Sequence, residues 1–290
     1  MDLFVVAIAG FFASMVDGAL GMGFGPTSSS ILLSNGLSPA TVSTTVNLAK
    51  IATGLVAGVS HWRFNNIDHQ LVFRLAVPGA LGALVGVTVL ANVNGDDLKP
   101  ILAAMLILVG LRILVRFSRP LPLAPDVTDP NVRDDAPPEF DKTGVEIAAA
   151  AGGITNGLVG AWGPVVTPFL LHRGLTPRFA VGSVNTAEVA VATVSAGALI
   201  GSLGGSGLDW EVLFAMLGGG MIAAPIAALV VRFIPARALG LAVAMLLLLT
   251  NARELMGTWD PADGRWAIYV LIVILMAGAI ARPRFMRTAR

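Results

Sequence analysis

The chain has 290 residues, of which 55% are hydrophobic and 13% charged, with a net charge of +1. Soluble domains carry about 25% charged residues, so a water-soluble domain is excluded. The basic residues stand at segment ends and form no patch, which argues against nucleic acid as a partner. Cysteine is absent, which removes disulfides, thiolate metal sites and cysteine nucleophiles.

The N-terminus, MDLFVVAIAG, has no basic region ahead of its apolar run and does not read as a cleaved signal peptide. Leu3–Val16 spans about 21 Å as helix and Pro26–Ser34 about 13 Å, so neither crosses a hydrocarbon core of about 30 Å. Between them, DGALGMGFG (Asp17–Gly25) is too rich in glycine for a stable helix interior. Irregular backbone at membrane depth is tolerated only where it is buried in protein or lines a wet cavity. The expectation is a re-entrant helical hairpin whose tip lies inside the membrane; the alternative is one kinked full-length helix. Pro39–His61 follows as a spanning helix with Lys50 at its midpoint. Leu71–Ala91 and Leu98–Val115 read as further spans. Residues 119–142 are a proline-rich acidic linker, which ends a first transmembrane repeat over 1–118. A second repeat, 143–258, begins with Val145–Thr155, NGLVGAWG and Pro164–Leu171. It continues through the helix that carries SVNTAE, then Val212–Val231 and Leu239–Leu249 with its flanks. Residues 259–290 hold a final helix near Trp266–Ala281 and a basic tail.

The two repeats align. DGALGMGFGP matches NGLVGAWGP with one residue deleted, and LLSNGLSPATVSTTVNLAK matches LLHRGLTPRFAVGSVNTAE without a gap. The alignment pairs Gly36 with Gly174, Pro39 with Pro177 and Asn47 with Asn185. It also pairs Asp17 with Asn156 and Lys50 with Glu188. Internal repeats are common in transporter folds. With one hairpin and three crossings per repeat, the repeats are inverted, and fifteen of the nineteen Lys and Arg residues fall on the inside. Three lie outside, and Lys50 is in the membrane. A single crossing in place of each hairpin divides the basic residues nine to nine, so the positive-inside rule favours inversion. The N-terminus is then outside and the C-terminus cytoplasmic. The fold class expected is an all-α polytopic membrane protein.

An ionised side chain at the bilayer centre costs at least about 2.5–3.5 kcal/mol and needs a partner or a watery path. Inverted repeats bring equivalent helices together at mid-depth, which allows Lys50 and Glu188 to be neighbours; whether they pair directly is not legible. Two readings follow. In one the pair is structural and fixes helix packing. In the other Lys50 attracts an anion and Glu188 is the proton switch, since burial disfavours the charged form of a carboxyl. Thr44, Asn47, Gly54 and Gly58 share the Lys50 face; Asn185, Ala192 and Ala196 share that of Glu188. The short helices after each glycine loop start at or near Pro26 and Pro164. Their first-turn amides form an anion seat, completed by the hydroxyls of Thr27, Ser28, Ser29 and Thr167. Gly25 and Gly163 allow close approach, and Trp162, inside the second loop, lines the path.

GALGMGFGPTSSSILL, LSPATVSTTVNLAK, GLTPRFAVGSVNTAE and the proline-rich central loop resemble the TauE/SafE sulfite exporter family of bacterial membrane proteins over nearly the whole chain. The resemblance implies a transporter of sulfite or another sulfur-containing anion, an organosulfonate or thiosulfate, driven by protons or another coupling ion, in the cytoplasmic (inner) membrane. An extra carboxylate at Asp17 near an anion path is awkward, so Asp17 either faces outside or assists proton transfer. No cofactor and no metal site are expected: His61 and His69 lack carboxylate spacing, and neither HExxH nor Gly-x-Ser-x-Gly is present. An enzyme is therefore not expected, and the alternative function is a passive anion channel or a carrier of another small organic anion. Trp62, Trp210, Trp259 and Trp266 read as interfacial anchors. The oligomeric state is not legible.

Overall fold

The structure is a computed structural model that describes residues 2–20, 22–118, 139–203, 208–230, 236–257 and 265–281. Most of the expected linker, Trp259 and the basic tail lie outside the described residues. Those described form eleven α-helices. The first five are α1 (Leu3–Leu20), α2 (Phe24–Ser34), α3 (Pro39–Arg63), α4 (His69–Asn92) and α5 (Gly95–Ser118). The next five are α6 (Val145–Val159), α7 (Gly163–His172), α8 (Pro177–Leu203), α9 (Trp210–Val230) and α10 (Ala236–Gly257). A last helix, α11, covers Arg265–Ala281. Five of them, α3, α4, α5, α8 and the Arg237–Gly257 part of α10, are long and apolar enough to cross a membrane by length and composition. Their outward faces carry exposed Phe73, Leu81, Leu108 and Val115, and Trp62, Trp210 and Trp266 are exposed near helix ends.

The matched residues of the two halves do the same local work. Gly36 and Gly174 follow α2 and α7 with φ of +90° and +95°, the left-handed conformation that stops a helix. Pro39 and Pro177 then open α3 and α8, where a missing N–H costs nothing. Asp68 caps α4 by accepting from the amides of Gln70 and Leu71 at 3.0 and 3.1 Å. Asp209 caps α9 in the same way through Glu211 and Val212, also at 3.0 and 3.1 Å. The breaks in the opening segments are narrower than the sequence implies. Helix α1 runs on through Asp17 and Gly18 to Leu20, and α6 through Asn156 to Val159. The helices tolerate these residues because the break needs only one special position; in the second half it is Gly160, at φ +68°.

Packing joins the halves more than it consolidates each one. Helix α1 lies along α9, α4 along α6, α3 against α8 and α5 against α10. Gly110 of α5 faces Leu247 and Leu248, whereas Gly240 of α10 faces Phe117, so α5 and α10 run antiparallel. Gly82 lies on Ala150, and Gly86 on Ile154 and Gly157, so α4 and α6 run parallel. These seams are backbone on backbone. A Cβ at Gly153 would stand 1.9 Å from the Gly79 carbonyl oxygen, and one at Gly219 the same distance from that of Ala7. Small residues at such seams allow the contact on which helix association in lipid depends. Gly153→Ala is therefore expected to cost about 1–3 kcal/mol or more through overpacking. Gly197→Ala, which meets open space, serves as the control. Thermal melting and size-exclusion profiles in detergent read the difference.

Outside the bundle, Asp141 and Arg173 form an ion pair that ties the start of α6 to the end of α7. Asp141 also accepts from the Thr143 amide at 2.9 Å. Hydrogen bonds from Thr143, then the Arg173 guanidinium, lower the Asp141 carboxyl to about 2. A depressed carboxyl contributes stability above its unfolded value of about 3.9 and loses it as pH falls toward about 2. The melting difference between wild type and Asp141→Asn is thus expected to be small at neutral pH and to vanish in acid.

Candidate functional site

Helices α3 and α8 cross where Gly54 leaves room for Val189 and where Gly58 faces Thr186. At that crossing the ammonium of Lys50, 4% exposed, pairs with the carboxylate of Glu188, 15% exposed. Lys50 Nζ also donates to Asn156 Oδ1 and to the Gly160 carbonyl oxygen, each at 2.7 Å. An ammonium has three donors, so all are engaged. Gly160 follows the last turn of α6, where backbone carbonyls lack helical partners. The first half supplies them: Ser43 Oγ donates to Gly157 O at 2.7 Å and Ser29 Oγ to Val159 O at 2.7 Å. Asn47 Nδ2 reaches Asn156 O at 3.4 Å. Lys50 thus places a cation at the negative end of α6, where it is favoured.

The tips of the two opening segments touch. A Cβ on Gly25 would stand 1.8 Å from the Gly160 carbonyl oxygen, and one on Gly160 2.7 Å from Val46 Cγ1. A narrow cleft of about 10 Å³, room for about one water, lies beside this contact, and Lys50, Glu188, Asp17, Gly25, Pro26, Gly163 and Pro164 are among its lining residues. Asp17 faces inward. Its Oδ1 accepts from the amides of Gly23 and Phe24 at 2.9 and 3.3 Å, so the carboxylate caps α2 across the break. The first turn of α2 is thereby already served by an internal anion. At the matching position Asn156 turns to Lys50 instead, and the start of α7 has no carboxylate upon it among the described residues.

The other expected site residues are distributed around the cleft. Asn47 is buried and accepts from Asn156 Nδ2 at 2.7 Å. Asn185 is buried beside Gly54. The hydroxyls of Thr27, Ser28 and Thr167 are buried without hydrogen-bond partners and lie outside the cleft lining, whereas that of Ser29 is engaged by α6. Trp162 also lies outside the lining. It is fully buried, donates to the Val184 carbonyl at 3.2 Å and packs on Gly79 and Gly152. Sequence reasoning passed over Asn156, Ser195, Ser43 and Gly160, although an intramembrane Asn opposite Asp17 was a usable signal. Among the described residues no group of His, Asp and Glu is placed to hold a metal.

The family model for the sulfite exporter TauE/SafE matches residues 6–253. This chain belongs to the TauE/SafE sulfite exporter family. It is 38% identical over 258 residues to "Probable membrane transporter protein YtnM" of Bacillus subtilis (strain 168), covering 89% of this chain and 84% of the relative. No solved structure matches the chain. The protein is a multi-pass membrane transporter and not an enzyme, and Lys50 and Glu188 lie within its apolar helices. Replacing Gly25 by Ala is expected to push the α6 tip and its Gly160 carbonyl off Lys50. Transport should then fall at least about tenfold with a melting loss of about 1–3 kcal/mol. Uptake and melting of the Gly25→Ala variant, compared with Gly197→Ala, which meets open space, check this.

Proposed function

We propose that the transporter moves sulfite or a related small sulfur-containing anion, an organosulfonate or thiosulfate, across the bacterial cytoplasmic membrane, coupled to protons. The observation that carries this reading is the Lys50 ammonium at the tip contact, whose one ion-pair partner among the described residues is Glu188. An incoming anion competes with Glu188 for Lys50. The displaced carboxylate then shares a narrow cleft with the anion and with Asp17, and a stranded buried charge is costly. A proton on Glu188 removes that cost, which ties anion binding to proton uptake. The anion sits between Lys50 and the first turn of α7, since a helix N-terminus favours negative charge and the equivalent turn of α2 is capped by Asp17. Asp17 is a second carboxylate in reach of the path and takes part in proton transfer.

The same reading holds that the two repeats are inverted, each with a re-entrant hairpin and three crossings. The antiparallel run of α5 and α10, equivalent helices of the two halves, supports it. So does α6, whose 15 residues reach about 23 Å, short of a hydrocarbon core of about 30 Å. The split of basic residues favours an N-terminus outside and a C-terminus in the cytoplasm, with proposed repeats over 1–118 and 143–258, a cytoplasmic linker over 119–142 and a final helix and tail over 259–290. A reporter within 119–142 should read cytoplasmic and one within Asn92–Asp97 external; an external linker overturns the inversion.

Proteoliposome uptake decides the roles of the pair. Lys50→Met should lose uptake under every gradient. Glu188→Gln should keep anion exchange and lose the response to a pH gradient; a passive channel keeps its flux and has no such response to lose. A purely structural pair predicts that each single change costs about 3–5 kcal/mol and that the double variant recovers uptake. Lys50 also serves Gly160 and Asn156, so the double variant melts below wild type on either account. Uptake is therefore the deciding measurement: an active double variant sinks the proposal.

A further inference from the structure

We infer that Asn156 is a positioning residue that sets the charge selectivity of the transport site. It holds the Lys50 ammonium with a neutral acceptor and leaves the positive charge of Lys50 available to the substrate. The inference rests on the reading above, in which Lys50 receives the anion.

Asn156 is fully buried, and its amide orientation is fixed from both sides. Nδ2 donates to Asn47 Oδ1 at 2.7 Å and to Ser195 Oγ at 3.0 Å, and Ser195 Oγ in turn donates to Val191 O at 2.8 Å. Both amide protons are thus spent, and Oδ1 alone can face Lys50 Nζ, which it meets at 2.7 Å. A turned amide would set an NH2 group against an ammonium. The charged side chains of the cleft are Asp17 from α1, Lys50 from α3 and Glu188 from α8. Helices α2, α6 and α7 add no charge to its lining. Asn156 holds the position that Asp17 occupies in the other half. A carboxylate there would pair with Lys50 permanently and leave a cleft of two or three negative charges around one positive one. Ser195 matches Ala57 of the first half, so the device that locks the amide is present only beside Asn156. The neutral residue therefore stands where the ammonium must be held without being neutralised.

The test is sulfite uptake by reconstituted Asn156→Asp protein, with thiosulfate and methanesulfonate as competitors. The new charge should raise the sulfite KM on the order of tenfold, with the maximal rate less affected. Coulomb energy scales with ligand charge, so the loss of inhibition by the dianion thiosulfate should be about the square of the loss for the monoanion methanesulfonate. A general packing defect would weaken both alike. An unchanged KM, or equal losses for the two competitors, overturns the inference. Should Asn156→Asp yield no folded protein, Ser195→Ala frees the amide without touching the cleft and should raise the KM about threefold; no change there overturns it as well. Lys50→Met separates the two levels. If that variant is inactive while Asn156→Asp has a normal KM, this inference alone fails, whereas a fully active Lys50→Met variant removes both.

Discussion

A lysine ammonium inside an apolar helix bundle has to find three acceptors or leave, and the way Lys50 finds them organises the centre of this transporter. One acceptor is a carboxylate on α8, one an amide on α6 and one the carbonyl that follows the last turn of α6. All three come from the other half of the chain. The cost of burying the charge is thus met only when the halves are assembled, and the same contacts fix the tip of α6 against α2 and α3. Ser29 and Ser43 complete the arrangement by taking two further carbonyls of that tip.

The two tips could not meet there with ordinary side chains. Gly25 lies on the Gly160 carbonyl oxygen, so the backbone that ends α6 and the backbone that begins α2 share one small volume. Asp17 and Asn156 then divide the work in a way the repeat does not. Asp17 caps the helix that follows it, whereas Asn156 reaches across to Lys50. One tip carries a carboxylate cap and the other carries none among the described residues, although the backbone plan is the same in both halves. Around this centre the glycine seams between α1 and α9 and between α4 and α6 bring backbones into contact and hold the halves as one body.

Much of this is legible in the sequence. Gly36, Gly174, Pro39, Pro177, Asp68 and Asp209 are stop and start signals whose chemistry is local, and the structure uses each of them as such. Aligning the repeats sets Lys50 and Glu188 at equivalent points but does not say whether they pair directly; the crossing of α3 and α8 brings them together. The opening helices run longer than their glycine content implies, since a single left-handed residue ends α6 and the glycines before it stay helical. The roles of Asp17, Asn156 and Trp162 depend on how a chain turns within three residues and on which half each side chain reaches. Residue type and spacing carry neither piece of information. Trp162 in a glycine loop looks like a path-lining residue, but the glycines of α4 and α6 form the slot that buries it.

If an anion and Glu188 compete for one ammonium, binding must take up a proton. Calorimetric titration of the purified protein with thiosulfate, repeated in buffers of different ionisation enthalpy, counts protons exchanged per anion bound, and thiosulfate does not itself titrate near neutral pH. The account predicts net proton uptake approaching one per anion in the wild type above neutrality and none in Glu188→Gln. Binding of the anion to wild type without proton uptake would contradict it.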